Sequence, residues 1–136
     1  MTQLGLGVMI KSLGGNEKTV KSIQASLGKK ITKLYLGEAL EMTFEDGSKM
    51  FLTDEGQSCC EHRYMSTDDT LSEYEDSTFQ DVELKNGPSV EDEEGYGVHD
   101  VQFLDIKTSK GIFTISSHNV HNGYYGGFYI TAEIFD

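Results

Sequence analysis

Apolar and polar residues alternate with a two-residue period through most of this chain, and the exception comes early. Between Asn16 and Gly28, Val20, Ile23 and Leu27 recur at three- and four-residue spacing, while Lys18, Lys21 and Gln24 fall on the other side. That spacing predicts an amphipathic helix, capped by Asn16 and stopped by Gly28. Residues 31–36, 39–44 and 49–52 then read as a strand meander, with Asp46 and Gly47 as the turn before its third tract. A two-residue hairpin needs positive φ at both central positions, and Asp-Gly is a favoured pair for it.

Further on, residues 79–84 form a strand that Asn86, Gly87 and Pro88 bring to a stop, and the acidic loop Glu91, Asp92, Glu93, Glu94 follows. The clearest hairpin joins residues 98–107 to 111–116 across Thr108, Ser109 and Lys110, with Val101, Phe103, Leu104, Ile106, Ile112, Phe113 and Ile115 as its apolar sides. Residues 128–134 close the sheet, with Phe128, Ile130, Ala132 and Ile134 on one side. Within 66–77, Asp68, Asp69, Leu71 and Tyr74 open a short helix. The expected fold class is α+β, a mainly antiparallel β-sheet with one N-terminal amphipathic helix.

Composition narrows the picture. A chain of 136 residues, 37% hydrophobic, suits a single domain over 16–136. Residues 1–15 stand apart as an extra strand or a flexible lead. No apolar run is long enough to span a bilayer, and the opening lacks the cationic start of a signal peptide. The expected location is the cytoplasm of a host cell, without membrane contact. Exposed sheet edges and the apolar start (Leu4, Leu6, Val8, Met9, Ile10) leave a homo-oligomer open.

The net charge of −12 is unevenly placed. From Asp54 to Asp105, sixteen acidic residues face only Arg63 and Lys85. Direct binding of duplex nucleic acid is therefore not expected, because phosphate neutralisation needs dense Lys and Arg. A basic host protein is the better electrostatic match, with the belt mimicking nucleic acid; the plain alternative is solvated surface.

Chemistry-bearing residues gather in two places. From His118 to Phe128 the chain carries His118, Asn119, His121, Asn122, Gly123, Tyr124, Tyr125, Gly126 and Gly127, and upstream stands Cys59, Cys60, Glu61. The 118–128 stretch is expected to be a connection between two strands, where a rigid scaffold presents a binding surface. Adjacent cysteines close no useful loop, so reduced thiols are expected. Taken together, Gln57 to Glu61 and the His-Asn-x-His-Asn-Gly-Tyr-Tyr-Gly-Gly element, with Phe103, Leu104, Ile106, Thr108 and Gly111 between, resemble a small family of tailed-bacteriophage and prophage proteins built on a domain of unknown function. The resemblance covers roughly residues 30–133. It implies a viral or prophage source and supplies no catalytic residue; the family pattern has Glu where this chain has Val120.

Three readings of these residues differ in chemistry. Tyr124, Tyr125 and Phe128 can stack on a base while Asn119 and Asn122 pair with its edge, which makes a small nucleotide-like ligand, held to counter host defence, the natural candidate. His118, Asn119, His121, Asn122, Gly123, Tyr124, Tyr125 and Gly126, with Cys59, Cys60 and Glu61, form its candidate binding set. Zinc on Cys60 and His62 with His118 or His121 is the cofactor alternative, although the spacing is not that of paired zinc knuckles. A thiol hydrolase built on Cys59 or Cys60 with His121 and Asn119 or Asn122 is the enzymatic one, opposed by the acidic surroundings that raise a thiol's pKa. The leading expectation is a non-enzymatic binding protein without a cofactor.

Overall fold

The computed structural model describes residues 17–54, 62–91, 97–121, 128 and 130–135. A helix, α1 (Glu17–Ser26), leads into two four-stranded antiparallel sheets. In spatial order the first holds β1 (Ile31–Leu36), β2 (Leu40–Phe44), β3 (Lys49–Asp54) and β8 (Ile130–Phe135). The second holds β4 (His62–Ser66), β7 (Gly111–His121), β6 (Val98–Thr108) and β5 (Phe79–Glu91), and a short 3-10 helix, Leu71–Tyr74, lies between β4 and β5 in the chain. The class is α+β, mainly antiparallel with one N-terminal helix, as the patterning predicts. No described helix is long and apolar enough to cross a membrane.

One core joins the two sheets. Met42, Phe44, Met50 and Leu52 from the first meet Phe79, Leu104, Ile106, Phe113 and Ile115 from the second. Across the seam the Phe44 and Phe79 rings lie 6.2 Å apart. The sheets also touch through backbone, since Ile31 N donates to Ser77 O and Phe79 N donates to Lys29 O.

The helix buries a face that the apolar spacing does not single out. Thr19, Ser22, Ile23 and Ser26 are its buried residues, whereas Val20 and Leu27 are only half-buried. Small hydroxyl side chains allow close approach and satisfy exposed backbone: Ala132 N, on the outer edge of β8, donates to Thr19 Oγ1 at 3.2 Å. Ser26 Oγ donates back to Ser22 O.

Two turns differ from expectation for identifiable reasons. The β2–β3 hairpin closes through Phe44 N to Ser48 O, so its loop has three residues, and Gly47 alone takes positive φ, at 89°. Asp46 instead accepts from Ser48 N and pairs with Lys29 Nζ at 2.8 Å. The Asn86, Gly87, Pro88 run does not end its strand. β5 continues through it to Glu91, with a register shift between Asn86 and Ser89. A Cβ on Gly87 would stand 2.7 Å from Val101 O, so the bulge requires glycine.

Candidate functional site

The expected binding connection begins later than its composition suggests. β7 runs on to His121, which makes His118, Asn119 and His121 strand residues. Polar, turn-like composition is overridden here because β7 is paired on both sides, to β4 and to β6. Strand parity then divides the group, with His118 on the outer face of the second sheet and Asn119 and His121 split between rows that face the interior. The candidates Asn122, Gly123, Tyr124, Tyr125, Gly126, Cys59, Cys60 and Glu61, and the acidic 92–94, lie outside the described residues.

On the inner face the core changes character along the strands. Leu104 and Ile115 form an apolar register pair, the next pair is Gln102 and Ser117, and the next is Asp100 and Asn119, with Arg63 of β4 beyond Asn119. Ser117 and Asn119 are fully buried, and Gln102 and His121 nearly so. Arg63 Nη1 spans both oxygens of Asp54, at 3.0 and 2.8 Å, with side-chain exposures of 8% and 5%. This pair ties β4 to the end of β3 in the other sheet. His121 Nε2 lies 2.6 Å from Asp100 Oδ2, and Ser89 Oγ donates to the other oxygen. Burial pushes the Asp100 carboxyl up, but the bonds from Ser89 and His121 outweigh it and hold the group below its usual range.

Two atoms in this row stand out. Gln102 Oε1 and Ser117 Oγ are buried without a hydrogen-bond partner among the described residues. A buried polar atom left so costs about 1–3 kcal/mol, which is why native interiors almost always satisfy them.

The outer face of the same strands carries rings. Tyr64 stacks on His118 with centroids 4.3 Å apart and planes within 6°, and His62 adjoins Tyr64 at 5.3 Å. His118 bonds two neighbours at once: its Nε2 lies 2.8 Å from Ser66 Oγ and its Nδ1 lies 2.9 Å from His99 Nε2. Tyr64 remains 40% exposed and Val120 38%, so this face is open among the described residues. All four histidines of the chain thus lie on β4, β7 and β6, at the end of the sheet where β4 and β6 begin and β7 finishes.

Desolvation, and then the adjacent His99, lower the His118 pKa. An imidazole that resists protonation when folded makes the unfolded chain the better proton acceptor, so stability falls as pH drops below about 6.5. Urea melts are expected to coincide at pH 7.5 and 8 and to shift to lower midpoint by pH 5.5. His118→Gln should flatten that decline; a decline of unchanged size would assign it to another group.

For the metal alternative, His62 and His118 share the outer face, whereas His121 is turned inward and bonded to Asp100. No group of three or more metal-ligating side chains occurs among the described residues. Much of the acidic belt is occupied by the fold. Asp54 pairs with Arg63, Glu83 with Lys107 and Asp105 with Lys85, while Asp69 and Glu75 accept from the backbone of Thr114 and Leu34. Asp68, Glu73 and Asp76 are exposed.

Sequence reading passed over His99, Asp100, Gln102, Ser117, Tyr64 and Ser66. The signal for the first four was present: counting back from the turn at Ser109 and Lys110 sets Val101 opposite His118 and Asp100 opposite Asn119. β4 offered none, because His-Arg-Tyr-Met-Ser lacks apolar alternation.

Residues 24–130 match a family model described as a domain of unknown function. No curated protein and no solved structure matches the chain.

Proposed function

The chain belongs to the DUF7448 family, a domain of unknown function, and from that premise we propose that the polar end of its core is a binding site, which a ligand enters and leaves chemically unchanged. The carrying observation is the pair of buried, unpartnered acceptors, Gln102 Oε1 and Ser117 Oγ, beside Asn119 and His121. A guest with amide or hydroxyl donors satisfies them, and the apolar pairs below form a floor.

Charge narrows the class of guest. Arg63 is matched by Asp54 and His121 by Asp100, so among the described residues this end offers hydrogen bonds and no surplus positive charge. Such surroundings suit the base and sugar of a nucleotide-like molecule better than its phosphates. The lysine-rich hollow formed by Lys33, Tyr35, Glu41, Thr43 and Lys49 lies on the other sheet. The resemblance to phage and prophage proteins supports a viral source, and a viral binding protein of this kind acts in the host cytoplasm by sequestering a host signal.

A thermal-shift screen of nucleosides and nucleotides tests the proposal. At least one is expected to raise Tm in proportion to the logarithm of its concentration and to keep doing so at moderate salt. Gln102→Leu with Ser117→Ala should match or exceed the ligand-free stability of the natural chain, because removing unsatisfied polar groups is neutral or stabilising. It should also lose the ligand-dependent shift. Equal shifts in both proteins, or none in the natural chain, defeat the proposal.

A further inference from the structure

Ser66, His118 and His99 make one hydrogen-bonded line across β4, β7 and β6, on the face opposite the polar interior. We infer that Ser66 is a nucleophile, with His118 as its base and His99 as the positioning residue behind the base, and that it accepts acyl groups from small activated esters. This does not rest on the ligand proposed for the interior, since it uses the other side of the same strands.

Geometry carries the inference. Ser66 Oγ lies 2.8 Å from His118 Nε2, within reach for proton transfer, and His118 Nδ1 lies 2.9 Å from His99 Nε2. When Ser66 donates, His118 is protonated on Nδ1 and donates to His99, which is the orienting role that a third group plays behind a catalytic base. The parallel Tyr64 ring, 4.3 Å away, fixes the plane of the His118 imidazole. Ser66 and His118 are half-buried on a face where Tyr64 and Val120 remain exposed, so a small ester has access. Because β4 is the outermost strand of its sheet, alternate N–H groups on it have no strand partner among the described residues. They are the nearest candidates to steady an oxyanion.

The chemistry balances without a cofactor. Oγ bonds to the ester carbonyl carbon while its proton passes to His118 Nε2. The C–O bond to the leaving group then breaks, and His118 returns the proton to the departing oxygen. Water, deprotonated by the same nitrogen, attacks the acyl carbon, and the proton goes back to Ser66 Oγ as the acid is released.

An alkyl fluorophosphonate probes the first step, since Oγ displaces fluoride from phosphorus and its proton leaves through His118. Intact mass and peptide mapping are expected to show one adduct, on Ser66, and p-nitrophenyl acetate to acetylate the same residue. Ser66→Ala should abolish labelling. His118→Gln should slow it at least 100-fold, in keeping with the 10²–10⁴ typical of a positioned base. His99→Phe removes the acceptor behind the base and the neighbour that depresses its proton affinity. It should slow labelling and move the pH midpoint upward, which loss of packing alone would not do. Folding of each variant is checked by its urea midpoint. An adduct on another residue, a rate indifferent to His118, or no adduct on the natural protein overturns the inference.

Discussion

Replacing Arg63 with Met while Asp54 stays in place is expected to cost about 3–5 kcal/mol of stability. The guanidinium and the carboxylate are both over nine-tenths buried, at 8% and 5% exposure, so neither relies on water. Removing the guanidinium takes both of its bonds from an interior carboxylate, and breaking a buried pair from one side is strongly destabilising. Because small domains are stable by about 5–15 kcal/mol, the single change consumes a large part of the margin. The double substitution Asp54→Leu with Arg63→Met should recover most of it, since exchanging a whole buried pair for apolar side chains is commonly neutral or better. Urea unfolding of the two singles and the double closes a thermodynamic cycle. A single-variant loss under about 1 kcal/mol would mean that the pair behaves as a surface contact.

Phe79→Ala should be of similar size, about 3–5 kcal/mol, by a different route. Its ring is fully buried at the seam, near Phe44, and its N–H and carbonyl meet Lys29 O and Gly28 N. The backbone bonds survive the substitution, while the cavity does not collapse easily between two sheets. Phe79 pairs with Thr108, at the far end of the sheet from Val98 and His121. Ligand uptake per folded molecule should therefore be unchanged in Phe79→Ala and reduced in Arg63→Met. Equal losses of binding in both would show that uptake follows global stability instead of the polar end.

The contrast between these residues also explains what could be read from the chain. Phe79, Leu104, Ile106, Phe113 and Ile115 sit in ordinary alternation, and the helix, the meander, the 108–111 turn and the closing strand follow from such signals. Arg63, Gln102, Ser117 and Asn119 are just as buried in function, but their polarity disguises them as loop or surface. β4 was invisible for that reason, and the last residues of β7 looked like a connection. Parity did the rest: His118 and His121 read as one cluster, yet an odd separation in a strand turns them to opposite faces. The helix misled in the same way, with Thr19, Ser22 and Ser26 buried where larger apolar side chains were expected to lead.

The bulge at Gly87 has a bearing on how this stretch can drift in length. Leu84 pairs with Leu104 and Ser89 with Asp100, so an even and an odd position both serve the interior side of β5. Only the extra residue between Asn86 and Ser89 reconciles them. Deleting Gly87 or Pro88 would leave a single residue opposite Val101 and keep Ser89 opposite Asp100, so the hydroxyl on the carboxylate that holds His121 would be retained. Descendants of this gene are thus freer to lose the extra residue than to put a larger side chain in place of Gly87.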